Sequence, residues 1–310
     1  MVSLLDIRSF FKGTIKLGEP LANYASLGIG GAADYVFSPS SREDLIAVVA
    51  HLRESAIPFI FAGRGSNLLV SEQGYHGAVI MLEPGVSAIR LERPASGEAL
   101  VHAAAGARIA SLVDFCITHS LQGAEELAGM SGTVGGMVMR STAGLSLLPE
   151  GCVKSVELLR DGGVMAVSDA PEKIDLRKAG LGRDVALSAS FRFMPGNKEE
   201  LMRRRREILV RRNSEQPLNV ANAGLMFQDP PGKNAAGLVV DAGMKGFRRG
   251  GAAISDRHAN MVLNTGNATV ADVLTLIKHV QSVVREKKGV QLALAMRLAG
   301  FDQESLREVA

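Results

Sequence analysis

Two glycine-rich segments have the composition of turns that bind a nucleotide. The first, residues 62–69, reads AGRGSNLL and follows a short apolar run. Glycine allows the backbone to approach a ligand closely, and successive amide groups in such a turn form a concave site for an anion such as a pyrophosphate. A plain corner between a strand and a turn is the alternative, because a Gly-x-Gly pair alone is weak evidence.

The second glycine-rich segment, residues 128–136, reads AGMSGTVGG, with four glycines in nine positions. Glycine weakens both helices and strands, so we expect no packed element over these residues. The composition favours a second backbone clamp on a nucleotide. A flexible surface loop is the alternative.

A third segment combines polar side chains with small residues. Lys245 and Gly246 are followed by SDRHAN at residues 255–260, which adds a serine, a histidine and an asparagine. This set suits recognition of a polar, phosphorylated ligand. His258 alone is more often a structural hydrogen-bonding residue than a catalytic one, and both roles stay open. No second histidine, cysteine or carboxylate stands at ligand spacing from it, so we predict no metal site.

The pattern of residues 221–230, ANAGLMFQDP, is typical of a loop that places one side chain in a binding or active site. Small and polar residues lead into a glycine, and an apolar triplet and Gln-Asp-Pro follow. The residue after the glycine is Leu225, which can neither donate nor accept a proton. The segment is therefore either an active-site loop that has lost its reactive residue or an ordinary turn.

The bulk composition is that of a soluble, core-forming chain. Hydrophobic residues make up 46% and charged residues 22% of 310 positions, which is enough for two or three domains. The net charge of +3 is too small to argue for nucleic-acid binding. The N-terminus is too weakly apolar for a signal peptide, and no apolar run approaches the roughly 20 residues that span a bilayer.

Cysteine usage fits a reducing cytoplasm. The two cysteines, Cys116 and Cys152, provide no disulfide framework. Cys116 lies in an apolar helical pattern, so we expect it to contribute packing. We assign no role to Cys152.

The elements that must position these segments alternate between helices and strands. Residues 33–82 follow the order strand, helix, strand, which predicts an α/β or α+β fold. The arginine run at residues 203–206 is interpreted as a solvated helix face. Helices are predicted after Ser41, over residues 107–121, over residues 198–213 and after Thr269, and strands are predicted at residues 57–63, 153–194 and 290–298.

Together these segments resemble the UDP-N-acetylenolpyruvoylglucosamine reductase family, also called UDP-N-acetylmuramate dehydrogenases. The resemblance covers residues 20–301. The sequence is more similar to the compact branch of the family, which lacks an extra loop. Besides the segments described above, its motifs are Asn23, GIGGAA at 28–33, GAEELAG at 123–129, Arg212, Gln216-Pro217 and Ala223-Gly224.

The resemblance implies an α+β fold. A two-subdomain FAD-binding module of the vanillyl-alcohol-oxidase type would occupy residues 20–85 and 86–196, and a C-terminal α+β domain at 197–302 would hold a UDP-sugar. The implied FAD-binding residues are Gly63, Arg64, Gly65, Ser66, Asn67, Leu68, Ser131, Gly132, Thr133, Gly135 and Gly136. The implied substrate-binding residues are Gln216, Lys245, Ser255, His258 and Asn260.

The resemblance also implies a reaction. NADPH reduces FAD, which gives a hydride to the double bond of UDP-N-acetylglucosamine enolpyruvate; a serine then donates the proton that completes UDP-N-acetylmuramate, a peptidoglycan precursor. An arginine, matched here by Arg177, and a glutamate stabilise the charge that develops on the substrate. The expected protein is a cytoplasmic monomer with a small-molecule substrate and no nucleic-acid or membrane partner.

The sequence departs from the family where the substrate reacts. Leu225 stands at the serine position and Ala295 at the glutamate position. The family's Tyr-Arg-x-Ser reads LRKA at residues 176–179, so Arg177 alone is kept. One hypothesis is a working FAD-dependent reductase with a substitute proton donor. The other is a flavoprotein that keeps FAD, and with it a UDP-sugar or another ligand, without performing this reduction; a flavin oxidase on the same fold is a weaker third.

Overall fold

The computed structural model describes residues 4–93, 98–140, 145–160, 163–168, 184–217 and 219–307. The chain divides into two compact units, each built from several segments. Unit 1 comprises Met1–Lys16, Val36–Gly63 and Ala78–Arg211, and unit 2 comprises Leu17–Tyr35, Arg64–Gly77 and Arg212–Ala310. Helices and strands are mixed in both units. The three-part division with boundaries after residues 85 and 196 stays a prediction.

Unit 1 is organised around an antiparallel sheet. The strand order is β10-β9-β11-β7-β6, and β8 also pairs with β11. The first elements in the chain are α1 Leu4–Phe10, β1 Thr14–Pro20, β2 Ala32–Ser38, α2 Arg42–Glu54, β3 Phe59–Ala62, β4 Leu68–Val70 and β5 Tyr75–Met81. They are followed by β6 Ile89–Glu92, β7 Ala99–Ala104, α3 Ile109–Thr118, β8 Leu121–Gln122, α4 Val134–Arg140, β9 Val153–Arg160, β10 Gly163–Ser168, β11 Val185–Pro195 and α5 Lys198–Glu215.

The predicted helix after Ser41 is confirmed. The Ser41 side chain accepts a hydrogen bond from the backbone N of Asp44, which satisfies one of the free amide groups at the start of α2. The helix predicted over residues 107–121 is shorter and forms over Ile109–Thr118. It carries Cys116 among its buried residues, as expected from the apolar pattern.

The second glycine-rich segment contains the start of a helix, so the expectation of no packed element there was wrong. Helix α4 begins at Val134 and includes Gly135 and Gly136. A Cβ atom on Gly135 would lie 2.7 Å from the Cβ of Ala105 and 3.0 Å from its carbonyl oxygen. Glycine is used here because the helix approaches the chain just after β7 too closely for a side chain.

The charged helix α5 exposes Arg203 and Arg204, as expected of a solvated face, and its arginines form ion pairs there. Arg205 lies 2.8 Å from Asp114 of α3, and Arg204 pairs with Glu126. Arg203 forms pairs within the helix, one of them to Glu207 at 2.6 Å. Such pairs are individually worth little when exposed, yet two of the four connect α5 to other elements of unit 1.

The two cysteines are free and buried, and both belong to unit 1. Burial raises the pKa of the Cys116 thiol far above its ordinary range. It also raises the pKa of Cys152 to about 12. Because the thiolate is the reactive form, neither side chain is a nucleophile at neutral pH.

The described residues of unit 2 form a four-stranded sheet together with the helices Ala235–Asp241, Val270–Lys288 and Gln303–Arg307. The sheet order is β12-β15-β14-β13, and β16 pairs in parallel with β4. Helix α7 packs Val273, Ile277, Val280 and Val284 into the core, as the helical spacing predicted. The remaining elements are β12 Asn222–Leu225, α6 Ala235–Asp241, β13 Arg248–Arg249, β14 Ala252–Ile254, β15 Met261–Asn264, α7 Val270–Lys288, β16 Arg297–Ala299 and α8 Gln303–Arg307.

The strand predicted over residues 290–298 is mostly an extended segment without a continuous ladder. Only Arg297–Ala299 forms a strand, and Leu294 makes a single bridge to Phe227. The predicted alternation nevertheless appears in the burial, since Leu292 and Met296 are buried and Gln291 is exposed. The ladder is interrupted because the Leu292 carbonyl accepts its hydrogen bond from the Gln281 side chain.

We expect the start of α7 to depend on its capping box. Thr269 accepts from the N of Asp272, and the Asp272 carboxylate accepts from the N of Thr269. Thr269→Ala should therefore lower the local stability of the first helical turn by about 1 kcal/mol. Hydrogen exchange of the α7 amide groups measures this loss. Thr275→Ala, at an exposed position of the same helix, should cause no loss, and equal effects of the two variants would contradict the capping role.

Candidate functional site

The glycine turn at residues 64–67 of unit 2 has a backbone that only glycine fits. Gly65 has a φ of +59°, and a Cβ atom there would lie 1.9 Å from the carbonyl oxygen of Tyr24. The turn is fixed by hydrogen bonds from the N of Ser26 to the Gly65 oxygen and from its hydroxyl to the Arg64 oxygen. The need for glycine here comes from packing against Tyr24, and the expected role of the turn in binding an anion stays a prediction.

Asn67 in this turn has a buried side-chain oxygen that accepts no hydrogen bond from the described residues. Its Nδ2 donates to the carbonyl oxygen of Ala295 at 3.2 Å, and its backbone oxygen accepts from the N of Arg297 at 2.9 Å. The Oδ1 atom is buried and has no hydrogen-bond partner among the described residues. An unsatisfied buried acceptor costs about 1–3 kcal/mol, so this atom is suited to accept from a bound ligand.

In unit 1, Gly63 and Thr133 lie in direct contact. A Cβ atom on Gly63 would be 2.7 Å from the Thr133 hydroxyl oxygen. The Thr133 hydroxyl also accepts from the N of Gly136 at 3.3 Å. Ser131, two residues before Thr133 in the chain, is exposed. Gly132 has a φ of +119°, a conformation that favours glycine. Two segments that are about 70 residues apart in sequence thus meet through one glycine.

The loop that carries Leu225 lies against the glycine turn within unit 2. Gly224 has a φ of +66°, and a Cβ atom there would lie 3.0 Å from the backbone oxygen of Ser66. Asn222 stabilises this conformation because its Oδ1 accepts from the N of Gly224 at 3.1 Å. Leu225 itself is half-buried.

Positions 225 and 295 are on neighbouring backbone segments. The N of Ala295 donates to the oxygen of Met226 at 2.7 Å, and the N of Gln228 donates to the oxygen of Ala293 at 2.9 Å. Ala295 is also the residue whose carbonyl binds Asn67. The structure therefore brings Leu225, Ala295 and Asn67 together, and neither Leu225 nor Ala295 provides an acidic or basic group.

Asn260 holds the Leu225 loop in place through its side chain. Its Oδ1 accepts from the N of Phe227 at 2.9 Å, and its Nδ2 donates to the oxygen of Phe227 at 2.8 Å. Its own backbone oxygen accepts from the N of Met226. At 2% exposure this side chain is fully engaged in the loop, and its predicted contact with substrate stays a prediction.

His258 lies two residues before Asn260 on the same turn. The Ser255 hydroxyl accepts from the N of Arg257 and from the N of His258, both at 3.1 Å. The imidazole is half-buried, and its Nδ1 is buried without a hydrogen-bond partner among the described residues. Burial lowers the pKa of His258, while the nearby carboxylates of Glu215 and Asp229 act in the opposite direction.

The other predicted substrate residues surround this turn in unit 2. Gly246, next to the exposed Lys245, has a φ of +74°, and a Cβ there would lie 2.4 Å from Oδ1 of Asp256. Gln216 follows the end of α5, whose Asn213 oxygen accepts from the Arg257 guanidinium at 3.1 Å. Arg177 lies outside the described residues. Within those residues, no group of three His, Cys, Asp or Glu side chains could hold a metal ion.

Sequence reasoning missed the carboxylate of Glu215 beside His258. The two residues are about 40 positions apart, and Glu215 reads as one more charge at the end of a charged helix. It also missed the Asn67–Ala295 hydrogen bond, because a side chain that binds a backbone oxygen leaves no residue-type signal at the accepting position. A three-dimensional structure was needed to find both.

Comparisons with known proteins define first a class and then a family. Residues 33–168 match the model of the FAD binding domain, and residues 216–299 match the C-terminal domain of UDP-N-acetylenolpyruvoylglucosamine reductase. The chain is thus a flavoprotein with the predicted α+β fold of this FAD-binding type. No helix of the described residues is long and apolar enough to cross a membrane.

The relatives have one name in common. The chain is 36% identical to the UDP-N-acetylenolpyruvoylglucosamine reductase of Chloroherpeton thalassium, over 98% of this chain and 99% of the relative. It is 36% identical to that of Caldanaerobacter subterraneus, over 93% and 95%. The crystal structure of the Thermus caldophilus enzyme is similar with a TM-score of 0.70 and 27% identity, over 94% of this chain and 100% of that one. The chain belongs to the UDP-N-acetylenolpyruvoylglucosamine reductase family, as the motifs predicted.

We expect Gly65→Ala to lower the free energy of unfolding by far more than the cost of placing alanine in a left-handed conformation. A matched control is Gly18→Ala, because Gly18 has a nearly equal φ of +57° with no atom within 4 Å of its added Cβ. The control should lose about 1–2 kcal/mol from the left-handed conformation alone. Gly65→Ala should lose several kcal/mol more and release FAD, as measured by urea unfolding and flavin content. Equal losses would show that the contact with Tyr24 is unimportant.

Removal of the Asn260 side chain should loosen the Leu225 loop. Asn260→Ala leaves two buried backbone groups of Phe227 without partners, which should cost at least about 2 kcal/mol. The exchange rate of the Phe227 amide hydrogen measures the effect. Gln228→Ala is the control, since its exposed side chain bonds the Leu294 oxygen, which water can reach. Unchanged protection of Phe227 in Asn260→Ala would contradict the proposed support.

Proposed function

We propose that the chain catalyses the FAD-dependent reduction of UDP-N-acetylglucosamine enolpyruvate to UDP-N-acetylmuramate in the synthesis of peptidoglycan precursors, with NADPH as the reductant. The observation that carries this proposal is the 36% identity to a reductase of this name along 98% of the chain. The match includes the C-terminal domain that is specific to this family. A general flavin oxidase would not require that domain.

The described residues fit a flavin nucleotide. The Asn67 Oδ1 atom is a buried acceptor that lacks a donor, and ring N–H and ribose O–H groups are donors. The turn that carries Asn67 is shaped by Gly65, whose φ of +59° favours glycine. When bound, FAD supplies hydride transfer, and the protein supplies binding, orientation and electrostatics.

The chain's own groups would bind the UDP-sugar in unit 2. Lys245 is an exposed cation beside the turn at residues 255–260 and would pair with phosphate. Gln216, Ser255 and His258 provide hydrogen-bonding groups around that turn. Arg177 would stabilise the negative charge that develops on the substrate. Asn260 would act chiefly by holding the loop at residues 225–228.

Leu225 and Ala295 motivate the competing possibility of a flavoprotein that binds its ligands without turnover. A positioned general acid is worth about 10²- to 10⁴-fold in rate, and an electrostatic stabiliser roughly 3–4 kcal/mol. The loop and the neighbouring 293–295 segment are nevertheless joined by two backbone hydrogen bonds. Because these bonds use backbone atoms alone, they support a site whose backbone is kept although two of its side chains differ.

We further propose a monomeric enzyme that works in the cytoplasm on a small-molecule substrate, without a nucleic-acid or membrane partner. The two free, buried cysteines support a reducing compartment. The net charge of +3 gives no electrostatic reason for association with nucleic acid or an anionic membrane.

The proposal predicts that the bound flavin passes hydride to the enolpyruvyl substrate. The purified protein is reduced with NADPH without oxygen, the substrate is added, and flavin absorbance is followed. Reoxidation with formation of UDP-N-acetylmuramate is expected. A flavin that is bound and stays reduced would contradict the proposal and support the competing possibility. If NADPH does not reduce the flavin but a chemically reduced flavin is reoxidised by the substrate, only the assignment of NADPH as the reductant is contradicted.

Restoring the family's two side chains should increase the rate. We expect the double variant Leu225→Ser, Ala295→Glu to reoxidise its flavin at least about tenfold faster than the unmodified chain, because it regains a proton donor and a charged group. Val240→Ser, at an exposed position of α6, is the control for an added hydroxyl and should change nothing. A slower double variant that still binds FAD would show that the site is adapted to apolar residues.

A further inference from the structure

We propose that His258 is the proton donor that substitutes for the missing serine in this chain. This inference rests on the proposed function and assigns a catalytic role to a residue that was expected only to bind substrate. It answers the chemical problem posed by Leu225, which cannot supply the proton that completes reduction of the double bond.

The position of His258 is fixed relative to the Leu225 loop by a short series of hydrogen bonds. His258 is separated by one residue from Asn260, which makes two hydrogen bonds to Phe227 through its side chain. Leu225 is paired with Met261, the first residue of β15, whose N donates to the His258 oxygen at 2.9 Å. Leu225 and Phe227 are therefore each connected by hydrogen bonds or strand pairing to the turn that carries the imidazole.

The His258 imidazole has a ring nitrogen that is free to form a hydrogen bond with a bound ligand. Its Nδ1 is buried and lacks a hydrogen-bond partner among the described residues, although the backbone N of the same residue is bonded to the Ser255 hydroxyl. A histidine with only a structural role would normally use its buried nitrogen in a hydrogen bond. Asp229 is less suited to donate a proton, because its Oδ1 already accepts from the N of Ala235 at 2.7 Å.

The charges around His258 suit proton donation and return. Glu215, at the end of α5, and Asp229, after β12, both favour the protonated ring, while burial favours the neutral ring and lowers its pKa. Arg257 is adjacent in the chain, and its guanidinium is directed to the Asn213 oxygen. Burial holds the pKa of His258 below the ordinary histidine value of about 6.5, so the protonated, donating ring becomes populated as the pH falls through that pKa.

The proposed step is balanced. An imidazolium N–H of His258 would give its proton to one carbon of the double bond, and bound, reduced FAD would supply the hydride that the other carbon receives. The ring becomes neutral imidazole, the C=C bond becomes a single bond, and solvent returns a proton to the ring before the next turnover.

The decisive experiment compares four proteins in the reoxidation step alone, with flavin already reduced. They are the unmodified chain, His258→Gln, Leu225→Ser and the double variant Leu225→Ser, His258→Gln. The rate is measured on both sides of pH 6.5, and the pKa of His258 is measured separately by NMR. His279→Gln is the matched control, since His279 is an exposed histidine of α7 in the same unit.

The unmodified rate should fall as pH rises through the pKa measured for His258, because only the protonated ring can donate. His258→Gln should lose about 10²- to 10⁴-fold and the pH dependence together. Leu225→Ser in the His258→Gln background should restore most of the rate without that pH dependence. His279→Gln should behave as the unmodified chain. The affinity of each variant for UDP-N-acetylmuramate is measured separately, so that a loss of binding is not counted as a loss of rate.

Several results would overturn the inference. One is a His258→Gln protein that keeps the rate and its pH dependence. Another is a double variant whose rate stays low although it binds product normally, since the histidine would then act by positioning. If the unmodified chain does not reoxidise at any pH, the proposed function fails first, and this assignment fails with it.

Discussion

The candidate site depends on one buried amide that completes the hydrogen bonding of a loop. The Asn260 side chain satisfies the backbone N–H and C=O of Phe227, and the Asn260 backbone oxygen accepts from the N of Met226, the residue before Phe227. A buried amide used in this way replaces water that could not reach Phe227, at 1% exposure. It also links the loop of Leu225 to the turn of His258. The relative placement of the two segments is thus determined by a short, rigid contact.

Support through backbone atoms explains how side chains in the site can change while the frame persists. Position 295 is held by its N–H to Met226 and by its carbonyl to Asn67, and neither bond involves its side chain. Position 225 follows a glycine whose conformation is set by Asn222. Replacement of a serine or a glutamate at these positions therefore removes chemistry without removing structural support. The binding and the reactive functions of the loop can diverge separately.

Much of this organisation could be predicted from the sequence because it depends on local rules. The cap at Ser41, the capping box at Thr269 and the spacing of apolar residues in α7 are local signals, and each element formed where expected. Family motifs placed Leu225 and Ala295 in one site, and the structure puts them on bonded segments. These predictions needed only chain neighbours or a resemblance.

The failures have a physical cause in contacts between distant segments. A helix starts at Val134 in spite of its glycines, and Gly135 is needed in it because Ala105 leaves no space for a Cβ atom. The last strand is shorter than its alternation suggested, and two carbonyl oxygens of that segment accept from the side chains of Gln281 and Asn67. The Glu215 carboxylate beside His258 is likewise a product of tertiary structure. Periodicity describes which face is buried, but it does not say which partner satisfies each backbone group.

The burial of both thiols in one unit has a practical consequence. Cys116 and Cys152 are at most 3% exposed, and both are protonated at neutral pH, so an alkylating reagent can modify them only after unit 1 opens. Unit 2 contains neither residue. The rate of thiol alkylation therefore reports the opening of unit 1 alone, without an added label. A ligand that protects the thiols must stabilise that unit, whichever residues it touches.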